Sequence, residues 1–331
     1  MATNVASKIK VRDLRDDLSF GSIIEGVNFE TLKDPDVRAE INDVFERRGM
    51  IVFTGCEPSA QLHVEISKVF GPLKDHPTKT TARVDKLDPN SAPGVIDMHH
   101  KPREGEEDVD LIELNGKKLG NWSNWHFDHC YNDELNLAGV LRSVIVAPEG
   151  GMTGFADGVE AYNDLSPELR EQIEKYNVIF TLDVRRSKMR FGRPKTFKNF
   201  EESEYMLNNV REGLTFPRAM HPAVWTRPSG EKVLHISPWM AVGLEHNETP
   251  EGDALLEAVC QEVINPRNAY WHKWETDHMV IWDNRRMLHA VSGCDPKLER
   301  RMQRTTIRGD YGLGYFEDGK KIGDVQREFV A

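Results

Sequence analysis

Cysteine is scarce and dispersed. Cys56, Cys130, Cys260 and Cys294 are the four in 331 residues, and no CxxC pair occurs. That spacing supports neither a disulfide framework nor a zinc knuckle. No apolar run approaches the roughly 20 residues that span a bilayer. The opening segment, MATNVASKIKVRDLRDDLSF, is polar and charged and lacks the apolar centre of a signal peptide. The expectation is a cytoplasmic protein with no membrane partner, in which the sequons NWS and NET carry no sugar. Positive charge is not in excess either. Lys and Arg total 43 against 54 Asp and Glu, a net charge of -11, which argues against a nucleic-acid partner. Internal repeats and low-complexity tracts are absent.

What remains is an ordinary globular balance, 39% hydrophobic and 29% charged. A chain of this length buries most of its apolar surface without staples. Four helices are legible. DPDVRAEINDVFERRG opens with Asp-Pro and stops at Gly49, and PSAQLHVEISKVFG follows the same spacing. SPELREQIEKY is capped by Ser166 with Pro167 in its first turn, and TPEGDALLEAVCQEV repeats that start. Between them lie β-type runs: GMIVFTG, AGVLRSVIVA, EKVLHIS and HMVIWDN. No βαβ alternation persists. The pattern predicts a mainly β fold with peripheral helices, an antiparallel sandwich or jelly roll. Residues 1–331 read as a single domain with an irregular, lid-like excursion around 74–120.

The run SNWHFDHCYN, residues 123–132, holds His126, Asp128 and His129 between aromatics. In an extended segment, i and i+2 share a face, so His126 and Asp128 aim into one space. His129 falls on the other face with Phe127 and is read as structural. An imidazole and a carboxylate converging from one strand are two metal ligands at short reach, though a hydrogen-bonded His–Asp pair is the plainer reading of these residues alone. His221, His235, His278 and His289 are candidates for a third ligand. His289, in VIWDNRRMLHAVSG, follows a strong strand and an Asp-Asn turn. Two histidines and a carboxylate leave open positions on an octahedral ion, as in non-haem Fe(II) oxygenases, while zinc prefers a closed or three-ligand site. The sequence does not separate these metals.

Several blocks, in order, resemble the taurine dioxygenase / 2,4-dichlorophenoxyacetate dioxygenase family of Fe(II)- and 2-oxoglutarate-dependent oxygenases. They are FGSIIEGVNFETL, RGMIVFTGCEPSAQLHVEISKVFGPLKDHP, NWHFD, APEGGMTGFADGVEAYNDLSPELR, HPAVWTRPSGEKVLHIS with WHKWETDHMVIWDNRRMLHAVSG, and RRMQRTTIRGD. The resemblance implies a double-stranded β-helix that binds Fe(II) through His126, Asp128 and His289. It implies that Thr153, in the G-G-x-T block, and Arg300 hold the two ends of 2-oxoglutarate. A planar guanidinium suits a carboxylate where Lys would act as a point charge. It implies oxidative decarboxylation with O2 as cosubstrate, releasing succinate and CO2, and hydroxylation of a small-molecule organic acid, or its oxidative cleavage. An Asp at position 128 argues against halogenation. A homo-oligomer, dimer or tetramer, is implied as well.

For the substrate, Arg304 and His76 match positions that grip an anionic head, with Lys79 close by. Trp122 stands where the taurine enzyme has Asn, which favours a bulky, aromatic acid over taurine. Taurine or alkylsulfonate oxidation, a desaturase or epoxidase outcome, and a catalytically silent 2-oxoglutarate- or metal-binding module are the alternatives. Other conspicuous residues have plainer readings. Arg301 and Arg308 are solvated, and His221 is packed or supports a ligand. Cys130 is a small buried hydrophobe, WDN is a turn that fixes His289, and Trp271 and Trp274 serve the core.

Overall fold

Each legible helix is built by its punctuation. The segment Pro35–Arg48 begins at Asp34, whose side chain accepts from the Asp36 N–H, and ends at Gly49 with φ of 69°. Val37, Ile41, Val44 and Phe45 form its buried stripe and pack with Ile51 and Phe53 of the next strand. Burying each such side chain contributes about 1.5–3 kcal/mol. Ser59, Ser166 and Thr249 cap Ala60–Ser67, Pro167–Ile173 and Pro250–Val263 in the same way. Two further helices, Gly158–Asp164 and Glu204–Gly213, were not legible as periodic runs.

This computed structural model describes residues 8–102, 105 and 108–323. Its centre is a pair of facing sheets. The larger has seven strands in the order Lys10–Asp13, Ser22–Glu25, Met50–Thr54, Met279–Asp283, Asn136–Ile145, Arg300–Arg308, Ile96–His100. The smaller has six: Lys198–Asn199, Ile112–Leu114, Lys117–His126, Met287–Cys294, Thr153–Asp157, Tyr270–His272. A four-stranded sheet built on Asn177–Phe180 extends the barrel. Among the named strands, Ser22–Glu25 with Met50–Thr54 is the parallel pair and the others run antiparallel. The fold is a jelly roll, as the strand-rich pattern predicts. Non-consecutive strands meet in the sheets, so distant segments supply one interior.

The excursion is more ordered than its sequence suggests. It contains the strands Ile96–His100 and Ile112–Leu114 and the start of Lys117–His126, and its residues 103, 104, 106 and 107 lie outside the described residues. Arg301 was expected to be solvated. Instead it pairs with Asp97 at 2.8 Å and Asp88 at 2.7 Å and ties the excursion to the large sheet. Buried Arg142 adds hydrogen bonds to Asn90 and to the Pro58 carbonyl. Charge-rich segments resist periodicity analysis because these bonds come from elsewhere in the chain. Trp274 is buried as expected, but Trp271 is 38% exposed, its ring lying 5.5 Å from Trp125.

Candidate metal centre and cosubstrate pocket

The strand Lys117–His126 pairs with Met287–Cys294 so that His126 lies directly opposite His289. Their ring centroids are 4.1 Å apart. The ladder is irregular here: Asn124 and Trp125 together oppose Ala290. A bulge of this kind leaves a carbonyl outside the ladder. The Asn124 carbonyl accepts the Nδ1–H of His126 at 2.7 Å, which directs the Nε2 lone pair inward.

Asp128 lies beyond the strand end, in a turn, so strand alternation is not what aims it. Asn284 does that. Its Oδ1 accepts the Asp128 N–H at 2.7 Å, and its Nδ2 donates to the Asp128 carbonyl at 3.0 Å and to Asn136 Oδ1 at 3.0 Å. The WDN turn therefore fixes Asp128 through a side chain, a role the linear motif does not reveal. Asp283, the other polar residue of that turn, accepts from Arg285.

Ligand atoms of His126, Asp128 and His289 all lie within 4.8 Å of one another, and all three residues are buried. Asp128 Oδ2 and His289 Nδ1 have no hydrogen-bond partner among the described residues. Burial lowers the His126 imidazole and pushes that of His289 down to about 3, so both are neutral at pH 7. Burial alone would raise the Asp128 carboxyl. The Arg304 guanidinium, 2.6 Å away, outweighs it and holds Asp128 well below the carboxylate range. Two neutral imidazoles and an ionised carboxylate with unsatisfied lone pairs fit a divalent cation with open positions.

The sheet register also carries Thr153. It pairs with Val291, two residues from His289, on the same face of the small sheet. Thr153 Oγ1 accepts from the Trp274 indole N–H at 3.0 Å. Trp274 shares with Arg300 the wall of a small cavity of about 200 Å³. Arg300 is 4% exposed and donates Nε–H to the Gly151 carbonyl at 3.0 Å. Gly151 has φ of 63°, and a Cβ there would come within 2.9 Å of the Arg300 side chain, so the second glycine of G-G-x-T is needed for close approach. Among the described residues no carboxylate pairs with Arg300, and burial pushes its guanidinium down to about 10. A buried cation without an acid partner fits a carboxylate ligand.

A larger cavity of about 1510 Å³ reaches His126 and Asp128 of the triad. His126, Asp128, Arg304, His76, His129, Tyr131 and Trp239 line it, with Met98, Leu182, Met206 and Met240. His76 is pushed down to about 3 by burial and by Arg304. Lys79 is exposed and not among the lining residues, and its backbone N–H donates to Glu212. Trp122 does not line the cavity either. It packs with Ile112 and Met189 and lies 5.4 Å from the Phe197 ring, because the bulge changes which residues of its strand face inward. Trp122 therefore does not face the substrate cavity, contrary to the expectation from its family position. His129 is corrected too: with φ of 60° it leaves the strand pattern and enters the cavity wall. His221 binds the Asn132 carbonyl and the Tyr311 hydroxyl, away from the triad, and Cys130 is buried in the core.

The family profile of the taurine catabolism dioxygenase TauD, TfdA family matches residues 10–306. The chain belongs to this family. It is 26% identical over 295 residues to an (S)-phenoxypropionate/alpha-ketoglutarate-dioxygenase of Sphingobium herbicidovorans, covering 89% of this chain and 93% of that one. It is 25% identical over 300 residues to an alpha-ketoglutarate-dependent 2,4-dichlorophenoxyacetate dioxygenase of Cupriavidus pinatubonensis, covering 88% and 95%. A taurine dioxygenase crystal structure from Burkholderia xenovorans superposes with a TM-score of 0.64 at 24% identity, over 95% and 94% of the two chains. The protein is thus an Fe(II)- and 2-oxoglutarate-dependent dioxygenase that consumes O2 and acts on a small molecule. Among the described residues of this dioxygenase, no helix is long and apolar enough to cross a membrane.

Proposed function

We propose that the dioxygenase oxidises a C–H bond of a bulky, aromatic organic acid. The observation that carries this reading is the large cavity that His126 and Asp128 line. At about 1510 Å³ it exceeds the usual 300–1,000 Å³ of ligand sites and leaves room for a bulky body beside the keto acid. Its methionine and leucine walls suit an apolar or aromatic body, and Arg304 and His76 suit the anionic head. Lys79 and Trp122 drop out of this role. The phenoxypropionate and dichlorophenoxyacetate enzymes named above give the reading independent support.

His126, Asp128 and His289 would hold the iron, and Arg300 with Thr153 would hold 2-oxoglutarate. Bound there, iron supplies the chemistry that converts 2-oxoglutarate and O2 to succinate and CO2 while oxygen enters the substrate. The chain's own residues prepare that step. The Asn124 carbonyl orients one imidazole and Asn284 orients the carboxylate. Hydroxylation next to a heteroatom leads to cleavage, so the product identifies which outcome operates.

A succinate-coupled screen over aryloxy and aryl carboxylates, alkyl sulfates and taurine tests the proposal. Aryl acids are expected to give the highest kcat/KM. Taurine turnover equal to theirs would overturn it. We also read residues 1–331 as one domain in a cytoplasmic homo-oligomer, a reading supported by four free, buried cysteines and by the family. Light scattering on the purified chain checks the last point.

A further inference from the structure

One imidazole in the cavity wall has no role in holding iron or the keto acid. His129 is 1% exposed, yet neither ring nitrogen has a hydrogen-bond partner among the described residues. A buried polar ring left unsatisfied on both sides is rare in a folded interior and points to a ligand. Its ring stands edge-on to His76 with centroids 5.4 Å apart and lies 5.9 Å from Tyr131. All three line the large cavity with Arg304.

The donors at this corner can be assigned. The Thr78 backbone N–H donates to His76 Nδ1 at 3.2 Å, so the proton of that neutral ring sits on Nε2, facing the Tyr131 hydroxyl at 3.4 Å. His129 carries an N–H in either tautomer. Arg304 gives one Nη1–H to Asp128, while its Nε is buried and unpartnered. Donors from three separated segments therefore converge, and the carboxylate that touches the corner, Asp128, is already held by Arg304. We propose that His129 is a specificity-determining residue that donates a hydrogen bond to the oxyanionic head of the substrate, together with His76 and Arg304. This rests on the reading that the cavity accepts an organic acid. The head is an oxygen-rich anion: a carboxylate, a sulfonate or a sulfate ester.

The test uses full-length enzyme, anaerobic, with Fe(II) and 2-oxoglutarate. Phenylacetate, phenylmethanesulfonate and uncharged phenylacetamide are titrated against its charge-transfer band. Wild type is expected to bind at least one acid tenfold or more tighter than the amide, and the tighter acid identifies the head group. His129→Leu should weaken that acid about tenfold, the scale of a hydrogen bond to a charged group, and leave the amide within twofold. His129→Asn keeps a donor and tolerates positive φ, so it should recover most of the loss. If the leucine variant loses the band, His129→Phe replaces it. Acid affinity within twofold of wild type, or equal loss for acid and amide, overturns the proposal. If the wild-type band forms but neither acid perturbs it, the head-group role falls and the dioxygenase assignment stands. If the wild-type band itself fails to form, the reading beneath it falls.

Discussion

Asn284→Asp exchanges one NH2 group for oxygen and should be severe. Asn284 is fully buried, and its Nδ2 donates to the Asp128 carbonyl, Asn136 Oδ1 and the Asn136 carbonyl at 3.0, 3.0 and 3.3 Å. In the variant an oxygen faces these acceptors. The acceptors of two residues lose their donor, each costing about 1–3 kcal/mol when buried, which sums to about 2–6 kcal/mol. That is a large share of the roughly 5–15 kcal/mol that holds a domain together. At roughly 2 °C per kcal/mol for a large chain, Tm should fall by about 4–12 °C. Oδ1 can still accept the Asp128 N–H, so the chain should fold at low temperature with Asp128 displaced. Loss of such a supporting contact typically costs about 10–100-fold in metal affinity. Calorimetric denaturation and anaerobic Fe(II) titration measure the two effects. A variant within about 0.5 kcal/mol and about threefold in Fe(II) Kd would refute the claim that this side chain aims the carboxylate.

His126→Ala should abolish both the anaerobic charge-transfer band and succinate formation. Arg300→Lys keeps the charge but loses the planar fork. It should raise the KM for 2-oxoglutarate by about 10–100-fold with Fe(II) affinity unchanged, as initial rates and metal titration will show. Trp122→Phe should leave the relative kcat/KM across an acid panel unchanged, since Trp122 packs outside the cavity. Stability should fall as pH drops from about 6.5 toward 3. Burial pushes His63 and His235 down to about 3, so over this window the unfolded chain binds the extra protons. His63 Nε2–H donates to the Val140 carbonyl at 2.9 Å, which Gln can replace, so His63→Gln should recover about 2 kcal/mol of the loss between pH 6.5 and 5 in urea denaturation.

Much of the local structure was legible because its signals are local. Asp34, Pro35 and Gly49 bound a helix through groups within a few residues of one another. The strand Met279–Asp283 follows from β-branched and aromatic side chains. The residue types at 126, 128 and 289 indicated metal chemistry, and Thr153 and Arg300 came from the family pattern. Two misreadings meet at one strand: a family position was carried onto Trp122, and strand alternation was extended past its end to Asp128 and His129. Lys117–His126 carries a bulge, which turned Trp122 outward from the cavity. It ends at His126, which released Asp128 and His129 into a turn where i and i+2 no longer share a face.

The sequence by itself determined where helices stop and which runs are strands, and its resemblance to a family pointed to His126, Asp128, His289, Thr153 and Arg300. Only the tertiary structure decided that Asn284 positions Asp128, that Arg301 anchors the excursion, and that His129 rather than Trp122 faces the cavity. The physical reason is range. Caps and periodicity act over a few residues. A hydrogen bond from residue 284 to residue 128 exists only after the strands around it have paired in register.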